Sequence, residues 1–147
     1  MITACLFIAA IALYWLAAAA LFGFAEAYYF YHLNQAYDKR GRIYDHAFLT
    51  ALRAMLAAPL LLHFYDNVDK SPWPTFFMLL FMLLSFPYIH DGFQYSIHNR
   101  LDKGTYPDGW KSSVDGRALF DLSYNSRLIL FMASMVWLGV FLIMEAV

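Results

Sequence analysis

Residues 90–102, HDGFQYSIHNRLD, follow an apolar run without a break and hold two of the five histidines in the chain. On a helix, a step of about 100° per residue puts His90, Gln94 and His98 on one face and brings Asp91 beneath His98. Imidazole and carboxylate side chains gathered in this way can hold a metal ion. His90 and His98 are eight residues apart, about 12 Å along a straight helix, so they share one ion only if Gly92 breaks the helix between them. A metal site is better built from one of these histidines and others on different helices, His46 or His32, with Glu26 or Asp91 as carboxylate. Zinc or non-haem iron accepts that mixture of donors. The candidate set is therefore His32, His46, His90, His98, Glu26 and Asp91.

Other chemistries find less in the sequence. The chain has no HExxH, no CxxC, no Glu-xx-His repeat of the di-iron bundle type and no glycine-rich phosphate loop. His63 and Asp66 have i,i+3 spacing, which suits a capped or solvated helix end. Ser96, Ser112, Ser113 and Ser123 share only a side of the membrane with the histidines, which does not make a nucleophile and its base. Four of the five histidines lie at or beyond helix ends, whereas a bis-histidine haem needs them on facing helices inside the bilayer. Glu26 and Arg53 form a second candidate, a buried charge pair, because charges near lipid find partners.

The elements that must position these residues are membrane helices. Hydrophobic residues make up 62% of the 147, charged residues 14%, and mean hydropathy is +0.50, whereas soluble domains run at about 25% charged. So much apolar side chain needs lipid. The net charge of -1 is spread without a basic tract or stripe, and nothing points to nucleic acid. Cys5 is the single cysteine, so no disulfide forms within the chain, and it reads as a small buried hydrophobe.

Four helices are expected, over about 2–31, 46–65, 72–101 and 122–146, joined on one side by polar links at about 34–45 and 102–121. The first is uncharged up to Glu26 and contains Ala19-xxx-Gly23, a spacing that lets another helix come close. Tyr28, Tyr29, Phe30 and Tyr31 then form an interfacial aromatic cluster. The second carries Arg53, whose head can snorkel or meet a carboxylate, and Pro59, which should kink it. Pro72, Trp73 and Pro74 open the third, proline being tolerated in a first turn, and the helix runs on through Pro87.

With four spans, Lys39, Arg40, Arg42, Arg53, Arg100, Lys103, Lys111, Arg117 and Arg127 fall on one side and Lys70 alone on the other. That bias makes the side bearing the links cytoplasmic and both termini external. The expected fold is all-α: one polytopic transmembrane domain, a four-transmembrane-helix bundle of the cell membrane, N-out and C-out. Its partners are the lipid bilayer and other membrane proteins or copies of itself. Three roles compete: a small subunit or scaffold of a membrane assembly, a membrane enzyme with a cytoplasmic-face histidine and carboxylate site holding a metal, and a transporter or channel using Glu26 and Arg53. The 102–121 link, with Arg100 just before it, mixes Lys103, Lys111 and Arg117 with Asp102, Asp108 and Asp115, which suits a solvated connection or a partner surface.

Overall fold

The computed structural model describes residues 2–36, 42–68, 72–101 and 122–146, with side chains for all of these except 2, 30, 33–36 and 42–50. The described residues form four α-helices: α1 (Ile2–Ala36), α2 (Arg42–Asn67), α3 (Pro72–Leu101) and α4 (Tyr124–Ala146). Three of them, α1, α3 and α4, are long and apolar enough to cross a membrane. Within hydrocarbon a backbone must satisfy its own polar groups, which a helix does internally. The links at 37–41 and 102–121, with their lysines and arginines, lie outside the described residues, as do Lys70 and Asp121.

α1 continues past its expected end at residue 31 to Ala36, and at that expected end Tyr31 sets its ring edge-on against His98 of α3, 6.4 Å between centroids. At about 1.5 Å per residue, α1 and α3 reach about 50 and 45 Å, well beyond a hydrocarbon core of about 30 Å. α3 is continuous through Pro87 and through Gly92, so Gly92 makes no break and His90 and His98 stay two turns apart. α2 starts four residues earlier than expected and carries Pro59 within it.

Successive helices run antiparallel. The start of α1 meets the ends of α2 and α4: Phe7 packs on His63 and Phe64, and Cys5 Sγ lies 3.8 Å from the Leu142 carbonyl. α3 is the centre of the packing, most extensively against α1, then against α4, while α2 has the thinnest contact with the others among the described residues. An apolar core that includes Ile8, Trp15, Phe64, Met78, Phe81 and Phe141 fills this half of the molecule. Two indoles pin it to α3, with Trp15 Nε1 donating to the Met82 carbonyl at 3.1 Å and Trp137 Nε1 to the Phe77 carbonyl at 3.2 Å.

At the other end of the packing, α1 and α3 come into backbone contact. A methyl group built on Gly23 would lie 2.1 Å from the carbonyl oxygen of His90 and 3.1 Å from the amide of Gln94. Only glycine permits that approach, and Ala19, one turn earlier, is fully buried in the same seam. The small residues of α1 thus serve the packing of α1 on α3 within one chain.

Candidate functional site

Gly23 decides where the site lies. It brings α1 against α3 at His90, and Glu26, three residues on, turns its carboxylate into the same layer. α2 adds Arg53 there. α4 adds Arg127, which is fixed one turn into its helix by Ser123: the Ser123 hydroxyl accepts from the Ser126 amide at 3.2 Å, and its carbonyl from the Arg127 amide at 3.1 Å. That is an N-cap, and it starts α4 at the depth where Asp91 waits. Five ionisable side chains from four helices therefore meet in one layer.

They form a connected series. Arg53 Nη2 pairs with Glu26 Oε1 and lies 3.0 Å from His90 Nε2. His90 Nε2 is 3.2 Å from the same Glu26 oxygen, and His90 Nδ1 is 2.8 Å from Asp91 Oδ1. Asp91 Oδ2 lies 2.8 Å from Arg127 Nε. The side chains of Glu26, His90 and Arg127 are 3–4% exposed, against 19% for Asp91 and 20% for Arg53. Burial without partners would cost several kcal/mol per charge, so the pairing is what permits these residues to be here at all.

The partners also fix the state of the imidazole. Asp91, an ionised carboxylate, only accepts hydrogen bonds, so Nδ1 must carry a proton and donate to it. Arg53 only donates, so Nε2 must be bare to accept from it. With Arg53 as its partner at Nε2, His90 is neutral, as the Nδ1–H tautomer. Arg53 Nη2 is within reach of both Nε2 and Glu26 Oε1, two acceptors, and can donate to each. With His90 neutral, two carboxylates balance two guanidinium groups, and the layer has no net charge.

Nothing among known protein families, curated proteins or solved structures matches this chain.

Aromatic rings support the charged groups on both sides. Phe86 stacks on His90, with centroids 4.7 Å apart and planes 16° from parallel, and the Arg53 guanidinium carbon sits 5.1 Å from the centre of the same ring. Tyr95 carries Arg127 in the same way at 5.4 Å. Phe86 is four residues before His90 and Tyr95 four after Asp91, the helical spacing that stacks side chains on one face. That spacing is the signal by which the sequence could have revealed both rings. Sequence reasoning placed Arg127 at the right depth but gave it no partner.

Of the six residues considered as metal donors, Glu26, His90 and Asp91 come together. His98 is buried two turns further along α3, against Tyr31, and His32 is exposed beside the same tyrosine, 5.4 Å between centroids. The His46 side chain lies outside the described residues. Among the described residues no group of three or more His, Cys, Asp and Glu side chains is arranged to hold a metal ion. Two guanidinium groups stand on the oxygens and nitrogen that such an ion would need. His63 is engaged at the other end of the molecule, where Asn67 Nδ2 is 3.2 Å from its Nδ1.

The layer is polar on one side only. Toward the ends of α1 and α3, Gln94 and His98 extend it along one buried face of α3. In the opposite direction come Phe81, Met82, Trp15 and the rest of the apolar core. Gln94 and His98 thus continue the buried polar face of α3 away from the apolar core.

Proposed function

We propose that this chain is a four-span integral membrane protein of the cell membrane, with both termini outside and its basic links in the cytoplasm. In this reading it serves as a small subunit or scaffold of a membrane assembly. The observation that carries the reading is the closed charge balance of the Glu26, Arg53, His90, Asp91 and Arg127 layer. Each charge is committed to another helix of the same chain, an arrangement suited to fixing helix positions. α2, the helix least apolar and least packed, gains its place in the bundle through Arg53. The lipid-facing sides of α1 and α4, rich in leucine, isoleucine, valine and methionine, are what a partner's helices would meet.

The positive-inside bias supports the orientation, and the apolar core on one side of the layer weighs against a through-path for ions. A second reading, a membrane enzyme with a zinc or iron site, draws only on the cytoplasmic-side histidines and carboxylates of the sequence, since guanidinium groups occupy the donors of this layer. Both readings are tested on one sample, the untagged protein extracted in mild detergent without chelators. The scaffold reading expects a complex of fixed stoichiometry by native mass spectrometry and no transition metal by elemental analysis. A lone protomer carrying near-stoichiometric metal would replace it with the metalloenzyme.

A further inference from the structure

His90 Nε2 faces two groups with opposite demands. Arg53 Nη2, a donor, lies 3.0 Å away, and Glu26 Oε1, an acceptor, lies 3.2 Å away. A bare Nε2 serves the first, and only a protonated one serves the second. Asp91 holds Nδ1–H in either case, 2.8 Å away, so the ring need not turn.

Charge balance then decides what must follow. A second proton on His90 would give the layer one surplus positive charge in a buried place, and one cation has to leave. Arg127 is sealed, with 4% of its side chain exposed, while Arg53 is 20% exposed. The helix that carries Arg53 is also the most thinly packed of the four among the described residues. Arg53 is the cation free to go.

We propose that His90 is a proton-binding site whose filling releases Arg53 from the layer. The proton binds at Nε2, and the new N–H donates to Glu26 Oε1 in place of the guanidinium. Arg53 keeps its own proton and swings toward the headgroup region, so one positive charge enters as another leaves. The charged groups facing His90 are Glu26 from α1, Arg53 from α2, Asp91 on α3 and, through Asp91, Arg127 from α4. In this proposal protons reach His90 from the side of Gln94 and His98, where the buried polar face of α3 continues away from the apolar core. Acidification on that side therefore loosens the Arg53 end of α2 while α1, α3 and α4 stay joined. The inference rests on the reading of the layer as a clasp and adds its regulation.

Two measurements on the full chain in lipid vesicles test it. In protein labelled with ¹⁵N at histidine, lowering pH from about 8 to about 5, the range over which imidazoles titrate, should convert the bare Nε2 signal of His90 to a protonated one. Spin labels at the exposed positions Met55 of α2 and Leu21 of α1, with Cys5→Ser as background, should report a longer and broader distance over the same interval. His90→Gln, which can pair but not titrate, should abolish the change. A His90 that gains no second proton, an unchanged distance in the unmutated protein, or an equal change in His90→Gln would each overturn the proposal. The clasp reading fails separately, if Arg53→Ala leaves the spin-label distance as it is at neutral pH.

Discussion

Arg127 stands in the first turn of α4, where the helix dipole presents its positive end and disfavours a cation. It is nonetheless buried, and Asp91 at 2.8 Å with the Tyr95 face behind it supplies the compensation. Glu26 and Arg53 depend on each other in the same way but not equally. Arg53→Ala leaves Glu26 buried without its guanidinium, whereas Glu26→Ala leaves an arginine that already has a way out. Removing one member of a buried pair costs about 3–5 kcal/mol. Arg53→Ala should fall within that range and Glu26→Ala below it, as read from reversible unfolding in mixed micelles. Glu26→Leu with Arg53→Met, which removes both charges and keeps the bulk, should cost less than Arg53→Ala alone.

At the scale of the element, a glycine with no room beside it sets the position of the layer. Replacing an ordinary helical glycine by alanine stabilises by about 1 kcal/mol. Gly23→Ala should do the opposite, destabilising by about 1–3 kcal/mol, because its methyl group meets the His90 carbonyl and one helix must move. Gly139→Ala in α4, where nothing lies within 4 Å, is the control and should be neutral or stabilising. Thermal unfolding of the two variants in the same detergent compares them directly. A Gly23→Ala protein as stable as Gly139→Ala would remove glycine from the argument.

The helices themselves were legible in the sequence because uncharged runs between interfacial aromatics and polar links leave few alternatives. Their ends were less so: α1 runs five residues past its expected end, and the Tyr31 contact with His98 beside that end joins residues 67 apart. The histidine face of α3 follows from helical spacing alone. What spacing could not supply is connection. Nothing local to Arg127 tells it from a snorkelling arginine, and nothing in Ala19-xxx-Gly23 names α3 as the partner. The six metal-donor candidates were chosen by residue type and depth, and the guanidinium groups at the same depth enter only once the helices are packed together.

For the whole molecule, the proposed four-span, N-out and C-out arrangement is tested by cysteine labelling with a membrane-impermeant reagent, again with Cys5→Ser. Ala146→Cys and Asn67→Cys should react in intact cells, and Arg100→Cys only after permeabilisation. If Asn67→Cys reacts only after permeabilisation while Ala146→Cys keeps its pattern, α2 does not cross and its arginine reaches the layer from the cytoplasmic side.

The charged layer also has an order in time. If all four helices span as proposed and insert in chain order, α1 brings Glu26 first, α2 then brings Arg53, α3 brings neutral His90 with Asp91, and α4 brings Arg127 last. The running total is one negative charge, then none, then one negative, then none. At no stage of biosynthesis is more than one charge of the layer unpaired, and each positive helix finds its counter-ion already in place. α2, too polar to be held by lipid alone, emerges beside the one residue able to retain it. The same five residues that hold the finished fold together thus give the ribosome a sequence of helices in which each arrival answers the one before.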